Sequence, residues 1–326
     1  MDRGLAADGV GRRGGPILRL LATVALCVLW AVGEPCPASA GQSLPKRLEV
    51  GGLTRTYRLH VPQSLRSEAP APLLLAFHGG GGDGVKLERL TGFTSLAQRG
   101  GFLVVYPDGM YKNWNDGREA GVSRAHRENV DDLGFIATLL DALTGEYRID
   151  PARVFSTGIS NGAIFSHFLA ARLSSRIAAI APVVGGIADP FHQTFNPDRP
   201  VSVLILQGTA DPLVPYDGGG ILKGRRGRII PTEEAAHRWA QHNGCRQAPV
   251  RHNLPDRDPT DSCRVTISTW SGCREGTEVT LYTLEGGGHT WPGRSQYLPA
   301  FIIGKVCREI DASAVIWDFF AKHPRP

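Results

Sequence analysis

Six short apolar runs punctuate the chain: 72–78 (PLLLAFH), 101–107 (GFLVVYP), 153–157 (RVFST), 177–184 (IAAIAPVV), 202–208 (SVLILQG) and 278–285 (EVTLYTLE). Their apolar positions are mostly continuous, which predicts strands covered on both faces. Ahead of them, 46–62 (KRLEVGGLTRTYRLHVP) alternates apolar and polar on either side of Gly51-Gly52, the pattern of an antiparallel hairpin. Between the runs lie segments of helical period: 131–147, with Asp131 or Asp132 as N-cap, 161–175, 232–244, stopped by Gly244, and 311–323, capped by Asp311. A hairpin followed by alternating strands and helices specifies an α/β fold, with a mostly parallel central sheet, helices on both faces and an N-terminal antiparallel hairpin. Ligands of such sheets bind at the carboxyl ends of the strands, so chemistry is expected in the loops that leave them.

Three of those loops carry the residue types of nucleophilic acyl transfer. After the 153–157 strand comes Gly158-Ile159-Ser160-Asn161-Gly162, which fits a sharp strand-to-helix turn whose glycines leave room for an exposed serine hydroxyl. The Asn161 amide and the dipole of the next helix would favour negative charge developing there. Asp211 follows the 202–208 strand and His289 the 278–285 strand. A serine needs an imidazole to take its proton, and that imidazole needs a carboxylate to fix its tautomer. Taken singly, Asp211 is also a turn former before Pro212 and His289 a loop histidine. Together, three separate strand ends supply the three types in the order of α/β-hydrolases. A fourth loop, 77–84 (FHGGGGDG), offers glycine backbone for a second oxyanion donor. It also satisfies GxGxxG, but a hairpin precedes its strand, and no Ser or Thr follows Lys86 as a phosphate loop requires. Trp114 in 113–117 (NWNDG) and Trp291, two residues after His289, are candidates for the walls of an acyl or aromatic pocket, or for packing beneath the loops.

Composition narrows the picture. The 326 residues are 42% hydrophobic and 21% charged, an ordinary globular balance that one substantial core can satisfy. The net charge of +5 is diffuse apart from 223–228 (KGRRGR), which reads as a solvated loop, so no nucleic-acid partner is expected. N-terminal arginines, an apolar stretch at 20–32 and Ala38-Ser39-Ala40 read as a secretory signal. Residues 1–40 are therefore expected to be a signal peptide and 41–326 one catalytic domain, secreted or periplasmic, without a stable membrane anchor. Cleavage would leave Cys245, Cys263, Cys273 and Cys307, an even set in an oxidising compartment with three possible pairings. No CxxC spacing suggests zinc, and 256–261 (DRDPTD) lacks the turn glycine and terminal glutamate of a calcium loop. Neither a metal nor an organic cofactor is expected.

The segments AFHGGGGDG, NWNDG, VDDLGFI, STGISNGAIFSH, QGTADPLVPY, NGC and EGGGHTWPG together resemble the secreted esterases of the polyhydroxybutyrate depolymerase and feruloyl esterase type, across residues 45–322. The resemblance implies an α/β-hydrolase fold and a serine esterase with Ser160, Asp211 and His289 as triad and the amides of Gly80 and Asn161 as oxyanion hole. It also implies a Cys245–Cys273 disulfide, which leaves Cys263 and Cys307 for each other. The substrate implied is an ester, polymers included: hydroxyalkanoate esters or oligomers, with feruloyl or acetyl esters of plant polysaccharide as the alternative. Asn113 and Gly80 stand where some members carry cysteine, so disulfides at those places are not carried over. A non-catalytic polymer-binding protein could keep the fold while losing a triad residue, and none is missing here. With no second domain recognisable in the chain, soluble short-chain and hydroxyacyl esters are expected ahead of oligomers and crystalline polymer.

Overall fold

Strands β1 (Leu44–Val50) and β2 (Leu53–His60) form the expected antiparallel hairpin. The apolar runs become β3 (Ala71–Phe77), β4 (Leu103–Pro107), β5 (Ile149–Ile159), β6 (Ala179–Val183) and β7 (Ser202–Gly208). A two-stranded ribbon, β8 (Gly219–Gly220) and β9 (Arg228–Ile229), precedes β10 (Val250–Asn253), β11 (Arg264–Trp270) and β12 (Val279–Glu285). The computed structural model describes residues 43–65, 69–119 and 121–326, which fall within one compact unit. The expected signal peptide, 1–40, lies outside the described residues.

Ten strands make one sheet in the order β1-β2-β4-β3-β5-β6-β7-β12-β11-β10. The six strands from β4 to β12 in that order run parallel, and antiparallel pairs close both ends. Strands β10 and β11 are not announced by apolar runs, because an antiparallel edge needs only one covered face. β10 is exposed throughout, and β11 mixes exposed with buried positions.

The helices are α1 (Gly84–Thr91), α2 (Phe93–Gly100), α3 (Arg124–Arg127), α4 (Asp132–Glu146), α5 (Asn161–Arg172), α6 (Asp189–His192), α7 (Thr232–Asn243), α8 (Ala300–Ile303) and α9 (Ala312–Lys322). Asp131 caps α4 by accepting from the Gly134 N–H at 2.7 Å, and Asp311 caps α9 through Ser313 and Ala314. Gly244, at φ 67°, ends α7. The continuous apolar run of β3 is split by the two-residue period of a strand. Leu73, Leu75 and Phe77 pack with residues of α4, α5 and α7 on one face, while Leu74 and Ala76 pack with α1, α2 and α9 on the other. Each such leucine or phenylalanine removed from water contributes about 1.5–3 kcal/mol, so the central strands anchor the loops at their carboxyl ends. Two disulfides, Cys245–Cys273 and Cys263–Cys307, tie the C-terminal third together.

Candidate active site

At the end of β5 the chain reverses into α5 through Ser160, held at φ 57°, ψ −120°. That conformation strains any residue with a Cβ and persists only where the surroundings enforce it. They do so here by close approach. A Cβ on Gly162 would lie 2.2 Å from the Phe77 carbonyl oxygen, and one on Gly158 2.6 Å from the Gly162 backbone. The Ser160 N–H donates to Val183 O at 3.0 Å, fastening the turn to β6. Val184 follows at φ 48°, a costly conformation for a β-branched residue, immediately beside that anchor.

Asp211 sits in the loop after β7. Its Oδ1 accepts from the N–H groups of Leu213 (2.8 Å) and Val214 (2.9 Å), which leaves Oδ2 directed at His289 Nδ1, 2.7 Å away. Both side chains are buried. His289 is itself clamped: its N–H donates to Ile303 O at 2.5 Å, and Tyr297 Oη donates to its carbonyl at 2.8 Å. Burial, with Asp211 adding to it, pushes the Tyr297 hydroxyl pKa well up, so it stays protonated and able to donate. Ser160 and His289 line one cleft without a hydrogen bond between their side chains, a spacing common before substrate tightens the geometry.

The glycine loop after β3 runs past the start of α5. A Cβ on Gly80 would lie 3.8 Å from Asn161 Cβ, and the Gly80 N–H has no acceptor among the described residues. His78 holds this loop, with Nδ1 2.8 Å from Gly79 O and Nε2 accepting the Gly109 N–H at 2.9 Å. Burial lowers its pKa, which favours the neutral ring that this pair of bonds requires.

Asn161 is fixed by Trp114 and Asp116 of the 113–117 segment, a role that motif reading does not assign to them. Its Oδ1 accepts from the Trp114 N–H (2.8 Å), and its Nδ2 donates to Trp114 O (3.1 Å) and Asp116 Oδ2 (2.6 Å). Asp116 is gripped by Arg118 and by His126 Nε2 at 2.8 Å. Burial raises the Asp116 pKa, but the Arg118 charge and the bonds from His126 and Arg118 outweigh it and hold the carboxyl at about 2. A permanent carboxylate thus anchors the first residue of α5.

The cleft measures about 800 Å³ and brings together Ser160, His289, Asn161 and Gly80. Trp114 and Trp291 are not brought to it: both are fully buried and absent from its lining. The Trp114 Nε1–H donates to His78 O at 3.0 Å with its ring stacked on Phe165, and that of Trp291 donates to Ser313 Oγ at 3.0 Å. Each indole turns inward because a buried acceptor awaits its N–H. The 223–228 loop is solvent-exposed, as expected, but it is also tied down beside the cleft. The Arg226 carbonyl accepts from Arg118 Nη1 at 2.7 Å, and Arg226 lines the cleft.

Residues 55–212 match the family model described as Esterase PHB depolymerase. NocK of Nocardia uniformis subsp. tsuyamanensis, an esterase by name, is 29% identical over 95% of this chain and 98% of its own length. Feruloyl esterase B of Piromyces equi is 27% identical over 70% of this chain, a match that spans 41% of that protein. Among solved structures, acetyl xylan esterase from Aspergillus awamori shares the fold, with a TM-score of 0.54 at 19% identity over 76% of this chain and 94% of that one. The match to that family model at residues 55–212 and the esterases among the relatives make the chain a carboxylic ester hydrolase, on the α/β-hydrolase fold.

Proposed function

We propose that the chain is a secreted serine esterase whose triad is Ser160, His289 and Asp211. The observation that carries this reading is the His289 Nδ1 contact to buried Asp211 at 2.7 Å, in a cleft shared with a strained, accessible Ser160. Ser160 Oγ attacks the ester carbonyl carbon while His289 Nε2 takes its proton, and Asp211 holds the imidazole by Nδ1 and stabilises its charge. The oxyanion of the tetrahedral intermediate is met by the N–H groups of Gly80 and Asn161. His289 then protonates the leaving alcohol, and a water activated by the same imidazole releases the acid from Ser160.

The cleft wall favours aliphatic acyl groups. Leu87, Ile159, Ile164, Leu213, Val214 and Ile221 line it, and Tyr297 contributes its one phenyl ring. A wall of branched aliphatic side chains suits a hydroxyalkanoate better than a feruloyl ring, which gains most from stacking on aromatic faces. The relatives named as feruloyl and acetylxylan esterases supply the second reading. Fluorophosphonate labelling followed by peptide mapping tests the nucleophile, with modification expected at Ser160; an unlabelled Ser160 in active protein refutes it. Comparing nitrophenyl butyrate, hydroxybutyrate oligomers and methyl ferulate tests the substrate, and a preference for methyl ferulate would select the second reading. Export is checked by N-terminal sequencing of the secreted form, expected to begin near Gly41.

A further inference from the structure

Three cations line the cleft, and they are not equivalent. Lys86 lies 3.7 Å from Asp83, and Arg118 is neutralised by Asp116 at 2.7 Å. Arg226 has no carboxylate partner among the described residues. Glu119, whose carboxylate approaches Gly227, makes no ion pair with it. Yet Arg226 is not a loose surface arginine. Its backbone N–H donates to Ile221 O (3.2 Å), its carbonyl accepts from Arg118, and its Nη1 donates to Val122 O at 2.9 Å. The neighbouring Leu222 and Lys223 sit at φ 47° and 58°, conformations that a loop free to relax would leave.

Fixing Nη1 to Val122 leaves the Nε and Nη2 edge of the guanidinium without a protein partner. This edge presents two parallel N–H donors, the geometry that matches a carboxylate bidentately. We propose that Arg226 is a specificity residue that recognises a free carboxylate on the substrate, so that the enzyme prefers esters ending in an acid group, such as a hydroxyacid oligomer cleaved near its carboxyl end. The inference rests on the esterase reading of the same cleft and adds the chemical class of substrate end it accepts. The apolar wall would take the aliphatic chain, and Arg226 the acid that the wall alone would reject.

The test compares the 3-hydroxybutyrate dimer as free acid with its methyl ester, in the wild type and in Arg226→Gln and Arg226→Lys. A charge-assisted pair predicts that the acid-to-methyl-ester ratio of kcat/KM falls about tenfold or more in Arg226→Gln, chiefly through KM, and less in Arg226→Lys. Monoethyl and diethyl succinate place the carboxylate on the acyl side; a ratio that responds to Arg226 only in this pair would assign the contact to the acyl end and overturn the carboxyl-end mode. An unchanged ratio in both pairs overturns the inference while leaving the esterase intact. Absence of turnover on nitrophenyl butyrate by the wild type would instead sink the esterase reading, and the inference with it. Should Arg226→Gln fail to fold, product inhibition of the wild type decides: 3-hydroxybutyrate must inhibit at least tenfold better than 3-hydroxybutyramide, and equal inhibition refutes the contact.

Discussion

Acid sensitivity offers a quantitative check on the packing behind the nucleophile. His167 lies on α5, seven residues after Ser160, and is fully buried. Its Nδ1 accepts from Trp239 Nε1–H at 3.0 Å, so that nitrogen carries no proton in the folded state. Burial pushes its pKa down to about 3, a Gly185 backbone contact opposing this only in part. The unfolded chain protonates the same ring near 6.5. Between these values the unfolded state binds more protons than the folded state, so stability present above about 6.5 is lost as pH falls towards about 3. Going from pH 7 to pH 5, the histidine alone should remove about 2 kcal/mol. The assay is chemical denaturation at both pH values for the wild type and His167→Gln, taking the difference between pH values within each protein. The intrinsic cost of the substitution then cancels. Burial also lowers His60, His78 and His242, so the variant should keep part of the acid loss. An identical loss in both proteins would show that His167 is not the neutral, buried ring described here.

Three further outcomes are expected. Ser160→Ala and His289→Ala should each lower ester turnover about 10³-fold or more without altering the circular dichroism spectrum, and near-normal turnover in either folded variant would move the triad elsewhere. Asp116→Asn leaves the Arg118 charge buried and unpaired, so it should cost about 3–5 kcal/mol in thermal or denaturant unfolding; an unchanged melting temperature contradicts the network drawn around Asn161. Tyr297→Phe removes the hydroxyl that holds the His289 carbonyl and should lower kcat about fivefold, the worth of one hydrogen bond; unaltered kcat would show that the Ile303 and Asp211 contacts suffice to position the histidine.

What the sequence discloses is divided by the range of the interactions involved. Strands β3 to β7 and β12 are legible because burial on both faces writes a continuous apolar run into each. Helices α4, α7 and α9 are legible because Asp131, Gly244 and Asp311 mark their ends locally. Helices α1 and α2 are not, since glycines bound both short segments and mask the period: Gly84 opens α1, Gly92 separates the two, and Gly101 closes α2. At the site, Ser160, Asp211 and His289 are readable because residue type and place at a strand end suffice to nominate them. Their supports are not. Asp116 lies 45 residues from the Asn161 it fixes, and Arg226 is 104 residues from the Val122 carbonyl that aims it. No periodicity encodes such pairings. Trp114 and Trp291 show the same limit from the other side: an aromatic ring in an active-site loop can turn to the cleft or the core, and the choice falls to a buried acceptor, His78 O or Ser313 Oγ, that only the folded chain supplies. Nominating the reacting groups from sequence is therefore a local problem. What orients them, and what the cleft selects, is set by contacts that only the folded chain supplies: Trp114 and Asp116 on Asn161, Ile303 and Tyr297 on His289, and Val122 on Arg226.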